Sequence, residues 1–175
     1  MRKVLLTICL LVGMLMVQGC VTTIQRIPFP AKEYKELPKK NIGTATVRGQ
    51  AFLKTVIGEV RYAAGNEVDL APVTSYTTQM YNAWKNFRFN GPLSGPTKFE
   101  PEVPDSRVND YTNRIVADGD GRFEFKNVSA GEYYIITSLV WEIPNSSCLP
   151  NLQGGILSEK IIVVEGEEYN IILTR

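Results

Sequence analysis

Histidine is absent from the 175 residues, which excludes Ser-His-Asp and Cys-His catalysis, histidine proton shuttles and histidine-containing zinc sites. Cysteine is scarce, at Cys9, Cys20 and Cys148. No sign of charge is in excess, since 19 basic residues face 18 acidic ones. A chain without a broad basic field is a poor partner for nucleic acid. Long apolar runs are missing after residue 20, and the one before it, Val4 to Val17, falls short of the roughly 18 residues that a stable spanning helix needs. What is present is a 44% apolar chain of a length that suits one domain plus a tail.

Arg2 and Lys3 precede the apolar run, which closes on Val17-Gln18-Gly19-Cys20. A basic start, an apolar centre and small residues at a cleavage point mark a secretory signal. The closing four residues resemble the lipobox of bacterial lipoproteins, with Val17 where Leu is commoner. The resemblance implies that residues 1–19 are removed, that the Cys20 thiol takes a diacylglycerol and that the new amino end is acylated, palmitate being the expected chain. Several acyl chains on one residue anchor stably where one is marginal. Val21 stands where the family's inner-membrane retention signal has Asp, which implies the outer membrane of a bacterial cell envelope, facing the periplasm. Without residues 1–19 the chain carries 17 basic and 18 acidic residues, and Cys148 is the one thiol left. No intrachain disulfide can then form, and Cys148 lacks the usual histidine base.

Residues 20–42 read as the lipidated N-terminus and an extended tether, because Pro28, Pro30 and Pro38 alternate with Lys and Glu and no period is present. From Gly43 the period is two. Ala45, Val47, Gly49, Ala51 and Leu53 share one face of a half-buried strand. Residues 58–62 and 67–76 predict two more strands, with Pro72 indicating an edge or a bulge. In residues 77–113, Met80, Trp84 and Phe87 recur at helical spacing, and Asn90-Gly91-Pro92, Gly95-Pro96, Pro101 and Pro104 then break regular structure. Long irregular connections of this kind are often functional. Residues 114–117 and 122–126 flank Asp118-Gly119-Asp120-Gly121, a hairpin signal. Tyr133, Ile135, Thr137, Leu139 and Trp141 then form one face of a long strand, a loop spans Pro144 to Gly155, and strands at 160–164 and 169–173 end the chain. The pattern predicts an all-β protein, an antiparallel β-sandwich of about seven strands with one long insert holding a short helix.

Gly43 to Gly49 with the valine-rich strand near Val68, and above all Ala117 to Tyr134, resemble the carboxypeptidase regulatory-like domain, a transthyretin-like (prealbumin-like) and Ig-like sandwich. The likeness spans residues 43–175, with the insert 77–113 as its departure. In the metallocarboxypeptidases this domain is the non-catalytic companion, so the resemblance implies a structural or binding role.

Asp118 and Asp120 resemble the start of a calcium loop, yet Ser129 stands where the closing glutamate would be, so a plain turn is expected and no metal or cofactor. Glu100, Glu102 and Asp105 would suit paired carboxylates of a glycoside hydrolase, and scattered surface charge accounts for them better. Tyr81, Trp84, Phe87 and Phe89 form the candidate surface for a ligand or partner, or else cover an open end of their own sandwich. The expected function is a non-enzymatic, membrane-anchored envelope lipoprotein acting as an interaction or scaffold module with an envelope protein partner. The alternative is a carbohydrate- or small-ligand-binding module that uses the aromatic insert, and a histidine-independent hydrolase ranks below both.

Overall fold

The alternation of residues 44–53 forms β1 (Ala45–Lys54) in a computed structural model that describes residues 28–85, 88–92, 105–144 and 151–175, the side chains of 89–92 excepted. Around β1 stands a four-stranded sheet with β2 (Val60–Tyr62), β6 (Arg122–Val128) and β9 (Glu168–Leu173). Facing it is a five-stranded antiparallel sheet in the order β4 (Arg88–Pro92), β8 (Asn151–Val163), β7 (Gly131–Glu142), β3 (Glu67–Pro72), β5 (Asn113–Val116). The all-β sandwich is therefore present, with nine strands among the described residues. The added strand, β4, lies inside the segment expected to be irregular, and β8 begins where a loop was expected.

The structure corrects two details of pairing. β1 and β9 run parallel, with Val47 opposite Tyr169 and Ala51 opposite Leu173. The chain reaches β9 by crossing from β8 in the other sheet, so no hairpin sets its direction. The turn at Asp118–Gly121 also joins the two sheets, because β5 pairs with β3 and β6 with β1. Its local chemistry is as expected. Asp118 Oδ1 accepts from the N–H groups of Asp120 and Arg122, and Gly121 takes φ 71°. A Cβ there would lie 2.5 Å from the Ala51 carbonyl oxygen, so only glycine fits.

The inner faces meet through Val47, Leu53, Leu70, Phe123, Phe125, Ile135, Leu157 and Leu173, all buried. Pro72 closes β3 beyond the last residue that β5 pairs, so its missing N–H leaves no gap in that ladder.

A second, smaller core lies outside the sandwich. It holds α1 (Ala31–Glu36), α2 (Ser75–Trp84) and a 3-10 turn (Ser106–Asp110), joined by Tyr34, Tyr76, Met80 and Val108. Here the expected tether differs: its described part, from Pro28, is docked on the domain. Tyr34 is 1% exposed, Phe29 stacks on it at 4.6 Å, and the Arg107 guanidinium covers Phe29 at 4.1 Å. Tyr34 accepts from Thr74 Oγ1, the N-cap of α2, whose capping box with Thr77 is complete. Burial pushes the Tyr34 hydroxyl above its ordinary pKa.

Candidate functional site

Tyr81 and Trp84 sit on α2, and both turn toward their own domain. Tyr81 stacks on Tyr134 of β7 with ring centroids 4.1 Å apart, while Lys85 Nζ lies 5.5 Å above Tyr81. Trp84 is half-buried against the second core. Phe87, Cys20 and Cys148 lie outside the described residues, as do Glu100 and Glu102, and Phe89 is described only as backbone in β4. The helix thus covers the outer face of the five-stranded sheet. Asp105, the third carboxylate of the acidic loop, is occupied by Arg107 at 2.7 Å, which draws its pKa down to about 2.

A cleft of about 610 Å³ opens at one end of the sandwich, between the end of β1, the end of β7 and the start of β8. Trp141 forms its aromatic wall, half-buried and packed at its base on the main core. The ring owes its seat to Gly154 on the neighbouring strand. At φ 103°, a Cβ on Gly154 would meet the Leu139 carbonyl oxygen at 2.0 Å and Trp141 Cζ3 at 2.9 Å. Opposite the ring stands the turn after β1, closed by Gly58 N–H on the Thr55 carbonyl at 2.9 Å and by Glu59 N–H on Thr55 Oγ1 at 3.0 Å. This turn carries Val56 and Ile57 as fully exposed side chains, and Ile143 adds a third apolar contact at the rim. Exposed apolar groups gathered beside a cleft mark binding surfaces more often than accident. Arg61, Arg88, Arg175, Glu142 and Gln153 add planar hydrogen-bonding groups to the lining.

Two other depressions are less suited to a ligand. The larger, about 790 Å³, is an open trough along β1, β6 and β9 that reaches Ile115 and Val116 of β5. Its arginines are already paired, Arg48 with Glu124 and Glu168 and Arg122 with Asp120, and its one aromatic ring, Phe123, belongs to the core. The third, beside Lys39 and Glu132, is about 210 Å³, below the roughly 300 Å³ at which small-molecule pockets begin.

An indole face with convergent guanidinium, carboxylate and amide groups can hold a polyhydroxylated ring. The C–H face of a sugar stacks on the indole, and its hydroxyls exchange water for fixed polar partners. Sequence reasoning placed Trp141 as the last member of one β7 face and gave it no binding role. The available signal was its place at the strand's end, beside two consecutive glycines on the neighbouring strand.

Among the described residues no three acidic or cysteine side chains gather into a metal-ligating group, and no helix is long and apolar enough to cross a membrane. No family model matches the chain and no curated protein matches it. A solved structure does: a candidate carbohydrate-binding protein of Pseudomonas aeruginosa, 26% identical, with a TM-score of 0.69 over 86% of this chain and 100% of its own.

Proposed function

We propose that this protein is a lipid-anchored envelope protein whose sandwich binds carbohydrate at the Trp141 cleft without transforming it. The observation that carries the reading is the indole laid on Gly154 at the mouth of a 610 Å³ cleft and ringed by hydrogen-bonding side chains. Its likeness to a candidate carbohydrate-binding protein supports the same ligand class. The interaction role expected from the sequence then takes a glycan as its partner, and the cleft is the binding surface in place of Tyr81 and Trp84, which face their own domain. A binding role without chemistry accords with the absence of histidine.

The docked N-terminal segment and the cleft lie at opposite ends of β7. Along β7, Tyr133 lies at the end where the N-terminal segment docks and Trp141 at the cleft. Eight residues separate them, roughly 26 Å of strand. Cys20 lies eight residues before Pro28, so the connection spans at most about 30 Å. An acylated Cys20 would therefore hold the docked end within about 30 Å of the membrane.

The test is a glycan array probed with detergent-solubilised full-length protein, together with labelled palmitate feeding in cells. Binding to a defined set of glycans, and label incorporation lost in Cys20→Ser, are the expected results. An array without signal would overturn the ligand reading, and label retained in Cys20→Ser would overturn the anchor.

A further inference from the structure

Seven arginines fall in the described residues, and five of them form ion pairs with carboxylates. The two without an ion-pair partner among the described residues, Arg88 and Arg175, both line the Trp141 cleft. Lys54 lines it as well and is likewise without one. Arg61 is held by Glu59 at 2.8 Å, which leaves Glu142 as the lining's other carboxylate. The side chains of the lining therefore carry an excess of two positive charges, in a chain whose total is +1. Guanidinium groups without a carboxylate partner among the described residues, gathered around one aromatic wall, are not the default arrangement here, because the other described arginines have found carboxylates.

From this arrangement we infer that the cleft selects acidic glycans, whose rings bear a carboxylate or a phosphate. The inference rests on the carbohydrate-binding reading and names its ligand class. A guanidinium presents parallel N–H donors in a planar fork that matches either anion bidentately, an advantage it lacks toward a neutral hydroxyl. The indole takes the apolar face of the ring, and Arg88 and Arg175 take the charged group. Since the cleft is open to solvent, the attraction is screened by salt, with a Debye length of about 8 Å at physiological ionic strength.

The experiment measures binding of full-length protein in detergent micelles to tetragalacturonate and its methyl ester, and to mannose 6-phosphate and mannose, at 20 and 500 mM NaCl. The expected result is binding of one acidic probe at least tenfold tighter than of its neutral counterpart. That preference should shrink at high salt and in both Arg88→Gln and Arg175→Gln. The pair that shows it identifies the anion as carboxylate or phosphate. Equal binding of acidic and neutral members, still lost in Trp141→Ala, would overturn the acidic preference and leave the carbohydrate reading standing. If none of the four probes binds and a glycan array is silent as well, both fall.

Discussion

Glu33 places both carboxylate oxygens on Ser75, accepting from its N–H at 2.7 Å and its Oγ at 2.6 Å. One residue of the expected tether thus closes the first turn of α2, where an anion is favoured by the helix dipole. Its neighbour Tyr34 fills the small core beneath. The docked segment packs on the second core and adds no strand to either sheet, so it can open while the sandwich ladders stay intact.

Tyr34→Ala is expected to release that segment. Truncating a buried aromatic residue in a core costs about 3–5 kcal/mol, and here the loss falls on the second core, away from the sandwich. Trypsin cleavage after Lys32, Lys35, Lys39 and Lys40 should accelerate at least tenfold, while the urea midpoint of the main transition moves little. Cleavage at the wild-type rate would show that the segment is held by something other than Tyr34.

Acid should weaken the same clasp. The hydrogen bonds from Ser75 Oγ and from its N–H hold the Glu33 carboxyl below its ordinary value of 4.5. A carboxyl lowered on folding adds stability that is complete above the unfolded value and fades as pH falls through the folded one. Glu165 is likewise held below its ordinary value, by Thr44 Oγ1 and the Ala130 N–H, and adds to the acid dependence of the whole protein. The difference between wild type and Glu33→Gln isolates Glu33. Wild type should have the higher thermal midpoint at pH 7, with the gap narrowing as pH falls below 4.5. A gap that does not vary with pH would contradict the assignment.

The sandwich was legible because half-buried strands write their burial at period two, and Phe123, Phe125, Ile135 and Leu139 all occupy the face their alternation predicts. Pairing was less legible. The glycine turn at Asp118–Gly121 shows where the chain reverses, but which sheet receives it depends on long-range packing that local chemistry does not encode. Tyr34 was hidden by its lysine and glutamate neighbours, since a six-residue helix docked through one aromatic residue has no apolar stripe to detect. Trp141 was read only as a member of one strand face, because its alternation is that of the core residues before it. Its exposure arises from the layers ending there, a property of the assembled sandwich.

Two glycines with positive φ should respond differently to a methyl group. At Gly154 the new Cβ would strike the Leu139 carbonyl oxygen and the Trp141 ring, so Gly154→Ala combines backbone strain with a collision that flexible side chains cannot relieve. At Gly65, φ 74°, nothing lies within 4 Å, and the cost is the left-handed conformation alone, about 1–2 kcal/mol. Urea unfolding should place Gly154→Ala well below Gly65→Ala in stability, and Gly154→Ala alone should shift tryptophan emission. Equal losses without a shift would mean that Trp141 is not seated on this glycine.

The two tryptophans separate the binding surface expected from the sequence from the one found in the fold. Trp84 packs into the second core, so Trp84→Ala should destabilise that unit and leave glycan affinity near wild type. Trp141 is only half-buried and is the one aromatic side chain in the cleft lining among the described residues, so Trp141→Ala should lower affinity at least tenfold. Each loss of a well-placed stacking partner is worth about 0.5–1.5 kcal/mol beyond the area it buries, and the buried area itself is lost too. Isothermal titration of both variants, with the urea midpoint as a check of folding, decides the matter. The reverse order of effects would move the binding site from the end of the sandwich back to α2.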